Sequence, residues 1–518
     1  MPVLLIATYD LGHQPFGLAS AAAALDAAGV PATCVDLSRE SLPEAAVRAA
    51  DLVAFFLPMH TATRLALPVI DRVRAVNPHA TLCAYGLYAP LNDAILRERG
   101  VTEIIGGEFE DDLSALARRD VGTPRVSQCP RGPTLPECAR GPTPERLPLA
   151  RSRSRRLKAA ARSRPAASAF AEAPADKSRL ARAAGAARGT SHVARPARPA
   201  LHVVPRVRFF VPLRESLPPL ERYASLQWGS ERRIVGYTEA SRGCKHRCRH
   251  CPIVPVYDGR FRVVPRDIVI EDIRRQVGAG AQHITFGDPD FFNGPRHAID
   301  IVRELAAECP GVTYDVTIKV EHLLAHAALL PELAATGCAF VTSAVESIDD
   351  RVLELLDKRH TVADFEAAVG LCRSAGVTLS PTFVAFTPWT SVEGYCALLQ
   401  AIDRLDLIDQ VAPIQLAIRL LIPERSRLLE LEEVRAFVGL FDRQDLTYRW
   451  AHRDPRVDAL QETVAGIVGR RAAAPRREVF AEIWSAAHGA AGLETVLRED
   501  RNLLSRAAVP YLNEPWYC

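Results

Sequence analysis

Several features are missing from this chain, and each absence narrows the reading. No run of about 18 uncharged apolar residues occurs in the 518-residue sequence, so no membrane-spanning helix is expected. The opening MPVLLIATYDLGHQPFG lacks a basic leader and reads as a first strand, not a signal peptide. The 12 cysteines show no disulfide-framework spacing, which favours a reducing, cytoplasmic setting. Only 2 methionines occur while Ala and Arg abound, and we read this as codon bias. A basic folded body is also missing, although the net charge is +3. Residues 118–200 hold 17 Arg and 2 Lys against 5 acidic residues, leaving 45 basic against 56 acidic side chains elsewhere. That acidic remainder argues against a nucleic-acid-binding body.

What is present falls into four stretches. Residues 1–117 alternate short apolar runs (PVLLIAT, ATCVDLS, DLVAFFLPM, ATLCAYGL, EIIGG) with helical segments. Near-continuous apolar runs are strands buried on both faces, so a parallel, doubly wound, Rossmann-like sheet is expected. Ligands of such sheets bind at the carboxyl ends of the strands. Residues 118–205 are rich in Arg, Pro, Ala and Ser without apolar periodicity, and read as a disordered linker. Within residues 206–420 six strands are expected, at RIVGYTE, HITFGD, TYDVTIK, AFVTSAVE, VTLSPTFVAF and VAPIQLAIRL. Helices between them carry apolar positions three and four apart. The class is therefore α/β: a doubly wound sheet, a linker, then a partial (β/α)6 barrel. Residues 421–518 read as a mostly helical extension, with helices at LEEVRAFVGLFDRQDL and REVFAEIWSAAHGAAG.

The chemistry concentrates at Cys244, Cys248 and Cys251, spaced CxxxCxxC in the loop after the first barrel strand. Thiolates are soft anionic ligands suited to iron–sulfur clusters. Three of them hold three irons of a 4Fe–4S cubane and leave the fourth iron open. Zinc is the alternative, with His246 or His250 completing the set. A disulfide would leave one thiol of the three unpaired.

With Gly243 before the first cysteine and the His250 ring before the last, this loop resembles the radical S-adenosylmethionine (radical SAM) superfamily. The resemblance implies that the open iron chelates the methionine part of SAM, and that one electron then releases a 5′-deoxyadenosyl radical. It also implies roles for other residues. Gly287, Asp288 and Asp290, after strand two, would receive the SAM amino group. Ser343 and Glu346, at the end of strand four and followed by a K.HT pattern, would approach the SAM ribose or carboxylate, and His250 would lie beside the cofactor. Lys319 and Glu321 either contact ligand or form a rim ion pair. Phe386–Thr390, with Trp389, is a candidate substrate wall, and Arg419 a candidate for an anionic group. An electron donor such as flavodoxin or ferredoxin is implied, with a small-molecule or peptide substrate, and neither membrane nor nucleic acid.

Residues 1–117, with GGEFE after the fifth strand, resemble the cobalamin-binding domains fused to radical SAM enzymes. Those that ligate cobalt often carry DxHxxG, whereas Asp10, His13 and Gly17 are spaced DxxHxxxG. The resemblance therefore leaves open a cobalamin site without a histidine ligand and a degenerate domain. The ending Glu514-Pro515-Trp516-Tyr517-Cys518 resembles radical SAM proteins with a Cys-Cys-Ala-Glu-Pro or Cys-selenocysteine-Ala-Glu-Pro tail, which would make the chain a selenoprotein candidate. Two other readings stand beside the enzyme. A tRNA-modifying methylthiotransferase relative would bring further N-terminal cysteines and a basic RNA-binding module, and neither is evident. A non-catalytic iron–sulfur or cobalamin sensor would not need the segments after strands two and four.

Overall fold

The computed structural model describes residues 2–119, 207–472, 474–493 and 511–513. The linker expected at 118–205 falls, but for its first two residues, outside the described residues, as does the tail ending at Cys518.

The apolar runs of residues 1–117 form strands β1 (Val3–Ala7), β2 (Ala32–Asp36), β3 (Leu52–Phe56), β4 (Thr81–Tyr85) and β5 (Glu103–Ile105). They pair in parallel in the order β2-β1-β3-β4-β5. That order is doubly wound, with its switch point between β1 and β3. All residues of β1 and β3 are buried, as strands covered by helices on both faces must be. One apolar cluster lies on each face of the sheet.

Strand β6 (Ser225–Trp228) then pairs antiparallel with β7 (Glu231–Thr238). The short hairpin β8 (Ser241–Gly243) and β9 (Phe261–Val263) brackets the cysteine loop. Strands β10 (His283–Phe286), β11 (Thr313–Thr317), β12 (Cys338–Glu346) and β13 (Leu379–Phe383) continue in parallel from β7. The sixth expected strand, VAPIQLAIRL, is reduced to a single bridge between Phe386 and Arg419. Pro413 lacks an amide donor and opens a 3-10 turn over Pro413–Leu416. The Gln415 side chain takes the strand's place by accepting the Phe383 amide at 3.3 Å.

The carboxyl-terminal region corrects the helical expectation in part. The helix at LEEVRAFVGLFDRQDL runs only from Glu432 to Phe437, and the rest is the hairpin β14 (Val438–Asp442) and β15 (Thr447–Trp450). Asp442 accepts the amides of Gln444 (2.8 Å) and Asp445 (3.0 Å), a turn that competes with helix continuation. The second expected helix forms over Arg476–Ala491 and ends on left-handed Gly492. Strand β16 (Tyr511–Asn513) pairs antiparallel with β6 and completes the order β13-β12-β11-β10-β7-β6-β16. Among the described residues no helix is long and apolar enough to cross a membrane.

The described residues pack as one unit. The Tyr223 hydroxyl donates to Asp36 at 2.8 Å, and Trp228 lies under Arg233. Val256 and Tyr257, just past the cysteines, join an apolar cluster of the doubly wound sheet together with Leu446.

Candidate iron–sulfur and cofactor site

The cysteine loop leaves the carboxyl end of the first barrel strand, where active sites of such barrels gather. Its geometry starts at Gly243, whose φ of +76° a side-chain-bearing residue rarely adopts. An added Cβ there would lie 2.4 Å from Tyr257 Cδ1 and 2.6 Å from the Arg260 carbonyl oxygen, so only glycine fits.

Cys244, Cys248 and Cys251 are all unpaired thiols, Cys248 buried and the other two partly so. Burial pushes Cys244 up to about 11 and Cys251 up to about 12. Burial raises Cys34 and Cys372 in the same way, so it is the spacing and shared loop of the three thiols, not these values, that single them out as ligands. Cys244, His246 and Asp290 also offer ligand atoms within 4.8 Å of one another. Within that trio the His246 ring lies 3.2 Å from Asp290 Oδ2, and its other nitrogen lies 3.3 Å from the Lys319 ammonium, a cation beside the trio.

The segment after β10 braces this loop. Asp288 accepts the Ala240 amide at 2.8 Å and the Ser241 hydroxyl at 2.5 Å, and burial raises its carboxyl to about 7. Burial would also raise Asp290, but His246 and His322 outweigh it and hold the carboxyl at about 2. His322 Nδ1 lies 2.6 Å from Asp290 Oδ2, off the axis of a hydrogen bond. Asn293 accepts the Lys245 amide at 3.3 Å, and its side-chain amide donates to the Gly243 carbonyl at 3.4 Å. Gly287 is required by its neighbour, since a Cβ there would lie 1.7 Å from the Tyr237 hydroxyl. The two aspartates expected beside SAM thus have protein partners that hold the cysteine loop in place.

On the other side stands Glu346, at the end of β12. Its φ of +72° is strained for a residue with a side chain, and a register shift in β12 accompanies it. Glu346 Oε1 lies 3.0 Å from His250 Nε2 and accepts from Lys358 Nζ at 3.3 Å. The loop docks here, with the Arg249 amide donating to the Leu356 carbonyl at 2.9 Å and its guanidinium to the Glu354 and Leu355 carbonyls. Three buried polar atoms in this region have no hydrogen-bond partner: Ser343 Oγ, His250 Nδ1 and His360 Nδ1. Orphaned buried groups of this kind mark a place for a polar ligand, and the set fits SAM beside a cluster on the three cysteines.

The rim residues divide. Lys319 donates to Glu321 at 3.0 Å, the ion-pair alternative. Trp389 packs edge-on against Phe437. Arg419 donates to Asp458 (2.7 Å) and to the Trp450 carbonyl (2.6 Å), which leaves its charge paired. Sequence reading overlooked Lys358, Arg242, Asn293, Tyr257 and His322. Asn293 sat in the same FGDPDFFNG block as the aspartates, and Lys358 in the K.HT pattern. The other three carry no local signal.

Arg242, two residues before Cys244, ties the loop to the doubly wound sheet. It donates to Glu110 (2.6 Å), Glu239 (2.7 Å) and Ser20 (3.2 Å) inside a ring of Phe16, Phe109 and Phe209. The Tyr257 hydroxyl donates to Glu108 at 3.1 Å. Glu108 Oε2 is buried without a hydrogen-bond partner at the carboxyl edge of the sheet. Beside it, a Cβ added at Gly106 would meet only Pro90 Cγ, at 3.8 Å. His13 is buried against Tyr237, with ring centroids 4.9 Å apart, and burial lowers its pKa to about 4. This edge, with an open glycine and a carboxylate oxygen that has no hydrogen-bond donor and faces the Arg242 guanidinium at 3.8 Å, offers an acceptor for amide donors and no histidine ligand, as a cobalamin bound without one would need.

Comparison with known proteins agrees with the geometry. Residues 238–390 match the Radical SAM superfamily. That domain implies a 4Fe–4S cluster and SAM. A tRNA-2-methylthio-N(6)-dimethylallyladenosine synthase from Chlorobium phaeobacteroides (strain BS1) is 26% identical over 237 residues, covering 42% of this chain and 53% of the relative. A hopanoid C-3 methylase from Methylococcus capsulatus is 26% identical over 151 residues, 29% of each chain. The chain thus spans about half or less of the curated relatives it matches. Among solved structures, the cobalamin-dependent SAM radical enzyme OxsB with aqua-cobalamin bound aligns at TM-score 0.58 and 13% identity, over 90% of this chain and 67% of that one. The radical SAM methyltransferase TsrM from Kitasatospora setae, with cobalamin and a [4Fe-4S] cluster bound, aligns at 0.51 and 16%, over 78% and 73%. At these identities the likeness is one of fold.

Proposed function

We propose that the chain is a radical SAM enzyme whose 4Fe–4S cluster is held by Cys244, Cys248 and Cys251, and which acts with cobalamin on a small-molecule or peptide substrate. The observation that carries this reading is the convergence of three unpaired cysteines on one braced loop at the carboxyl end of β7, beside buried polar atoms without partners. When bound, the cluster supplies the electron that breaks a carbon–sulfur bond of SAM.

The chain's own residues do the rest. Asp288, Asp290 and Asn293 fix the loop, and Gly287 lets Tyr237 pack beneath it. Ser343 and His250 offer hydrogen bonds to SAM, with Glu346 orienting His250. Residues 1–117 form the cobalamin module, 206–420 the barrel and 421–518 an extension. Kinship with the Cys-Cys-Ala-Glu-Pro-tailed group rests on residues 514–518, outside the described residues. The electron comes from a reductant such as flavodoxin or ferredoxin.

Anaerobic reconstitution with iron and sulfide tests the cluster. The wild-type chain should carry about four irons, and Cys248→Ala should fall well below that. Tetrahedral zinc bound at one per chain, with no cluster absorption, would refute the reading.

A further inference from the structure

Lys358 is almost fully buried, and nothing in the proposed chemistry so far uses it. Its setting is unusual. The residues on either side, Asp357 (φ +55°) and Arg359 (φ +57°), are both left-handed, and its carboxylate partner Glu346 is left-handed too. Such positions are strained for residues with side chains and cluster at functional sites. Three of them converge on one ammonium group. The chain holds that strain with specific contacts. The Lys358 amide donates to the Leu353 carbonyl at 3.0 Å, and the cysteine loop docks on the same turn through the Arg249 amide and the Leu356 carbonyl. The ammonium lies within electrostatic reach of Cys248 and Cys251, while Glu346 bridges it to His250, the residue before Cys251.

Lys358 is the cation that holds Glu346 ionised, and Glu346 in turn lies 3.0 Å from His250 Nε2, so the ammonium is coupled through that carboxylate to the cysteine loop. Buried cations near a cluster act on its charge state. A fixed positive charge in a low-dielectric site favours whichever state carries more negative charge, and reduction adds one electron.

We propose that Lys358 is a positioning residue for electron transfer: its charge, set by the left-handed turn, stabilises the reduced cluster and makes the loop easier to reduce. This rests on the reading of the cysteine loop as a 4Fe–4S site. The electron still comes from an external low-potential donor, and Lys358 itself gains or loses no bond.

The test is a redox titration of the reconstituted full-length chain without SAM, following the electron paramagnetic resonance signal of the reduced cluster. Lys358→Met and Lys358→Gln should both titrate at more negative potential, with the reduced-to-oxidised ratio at the wild-type midpoint falling at least about tenfold. Lys358→Arg, which keeps the charge, should stay near wild type. The glutamine variant serves as the neutral arm where methionine impairs folding. Neutral variants that carry full iron and titrate with wild type overturn the proposal. So does loss of iron from both neutral variants with full iron in Lys358→Arg, since the cation would then serve assembly. A wild-type chain that loads no cluster refutes the underlying reading instead, and that outcome is separate from either of these.

Discussion

Arg242→Met is expected to destabilise the protein by about 3–5 kcal/mol, because it leaves buried carboxylates without their cation. Glu110 is fully buried, and its Oε1 accepts from both Arg242 and Ser20. Glu239 and Glu108 lie beside the same guanidinium, and burial raises both carboxyls. Methionine replaces the bulk of the side chain within the Phe16, Phe109 and Phe209 ring but not the charge. Urea unfolding gives the size of the effect. The double variant Arg242→Met with Glu110→Gln should recover part of the loss, because the most buried charge goes with its partner. A single variant within about 0.5 kcal/mol of wild type would show that water or rearrangement satisfies Glu110, and that the two layers are held by apolar packing alone.

Asp10→Asn is expected to stabilise the protein more and more as pH rises. Burial, reinforced by the charge of Glu239, lifts the Asp10 carboxyl from 3.8 to about 8, against the Phe16 amide that donates to it. The folded state therefore keeps a proton that the unfolded chain gives up. The stabilising contribution is full below the ordinary carboxyl value, declines across the interval up to about 8, and is gone above it. Asparagine keeps an acceptor for the Phe16 amide and has no proton to lose. At about 1.36 kcal/mol per pH unit, the gain of the variant over wild type approaches about 6 kcal/mol by pH 9 and is below about 1 kcal/mol at pH 4. Urea unfolding of both chains at several pH values is the check. Parallel profiles would mean that Asp10 is ionised or hydrated when folded.

Much of this fold is legible in the sequence. The five strands of residues 1–117 read directly from their apolar runs, because a strand covered on both faces must be apolar throughout. The cysteine spacing and the order of barrel strands β7 to β13 were equally plain. Other features were not, each for a physical reason. A strand was expected where Gln415 instead lends a side-chain acceptor to Phe383, and no periodicity encodes that substitution. A long helix was expected where Asp442 captures two amides and turns the chain into a hairpin. At the site, Asp288 and Asp290 had the chemistry of a ligand contact. Their protein partners Ala240, Ser241 and His246 stand 40 or more residues away in the chain and left no local signal of the bracing that accompanies that expected role. Arg242 carried no signal at all, since its partner Glu110 stands 132 residues earlier.

The most direct test of the account is the product of SAM cleavage. The reconstituted chain is supplied anaerobically with SAM and a low-potential reductant, with and without cobalamin, and 5′-deoxyadenosine is measured by mass spectrometry. Wild type should yield 5′-deoxyadenosine, and Cys248→Ala none. A fully loaded cluster that binds SAM yet leaves it intact would contradict the radical SAM reading and point to a sensor, and S-adenosylhomocysteine without 5′-deoxyadenosine would replace radical chemistry with polar methyl transfer.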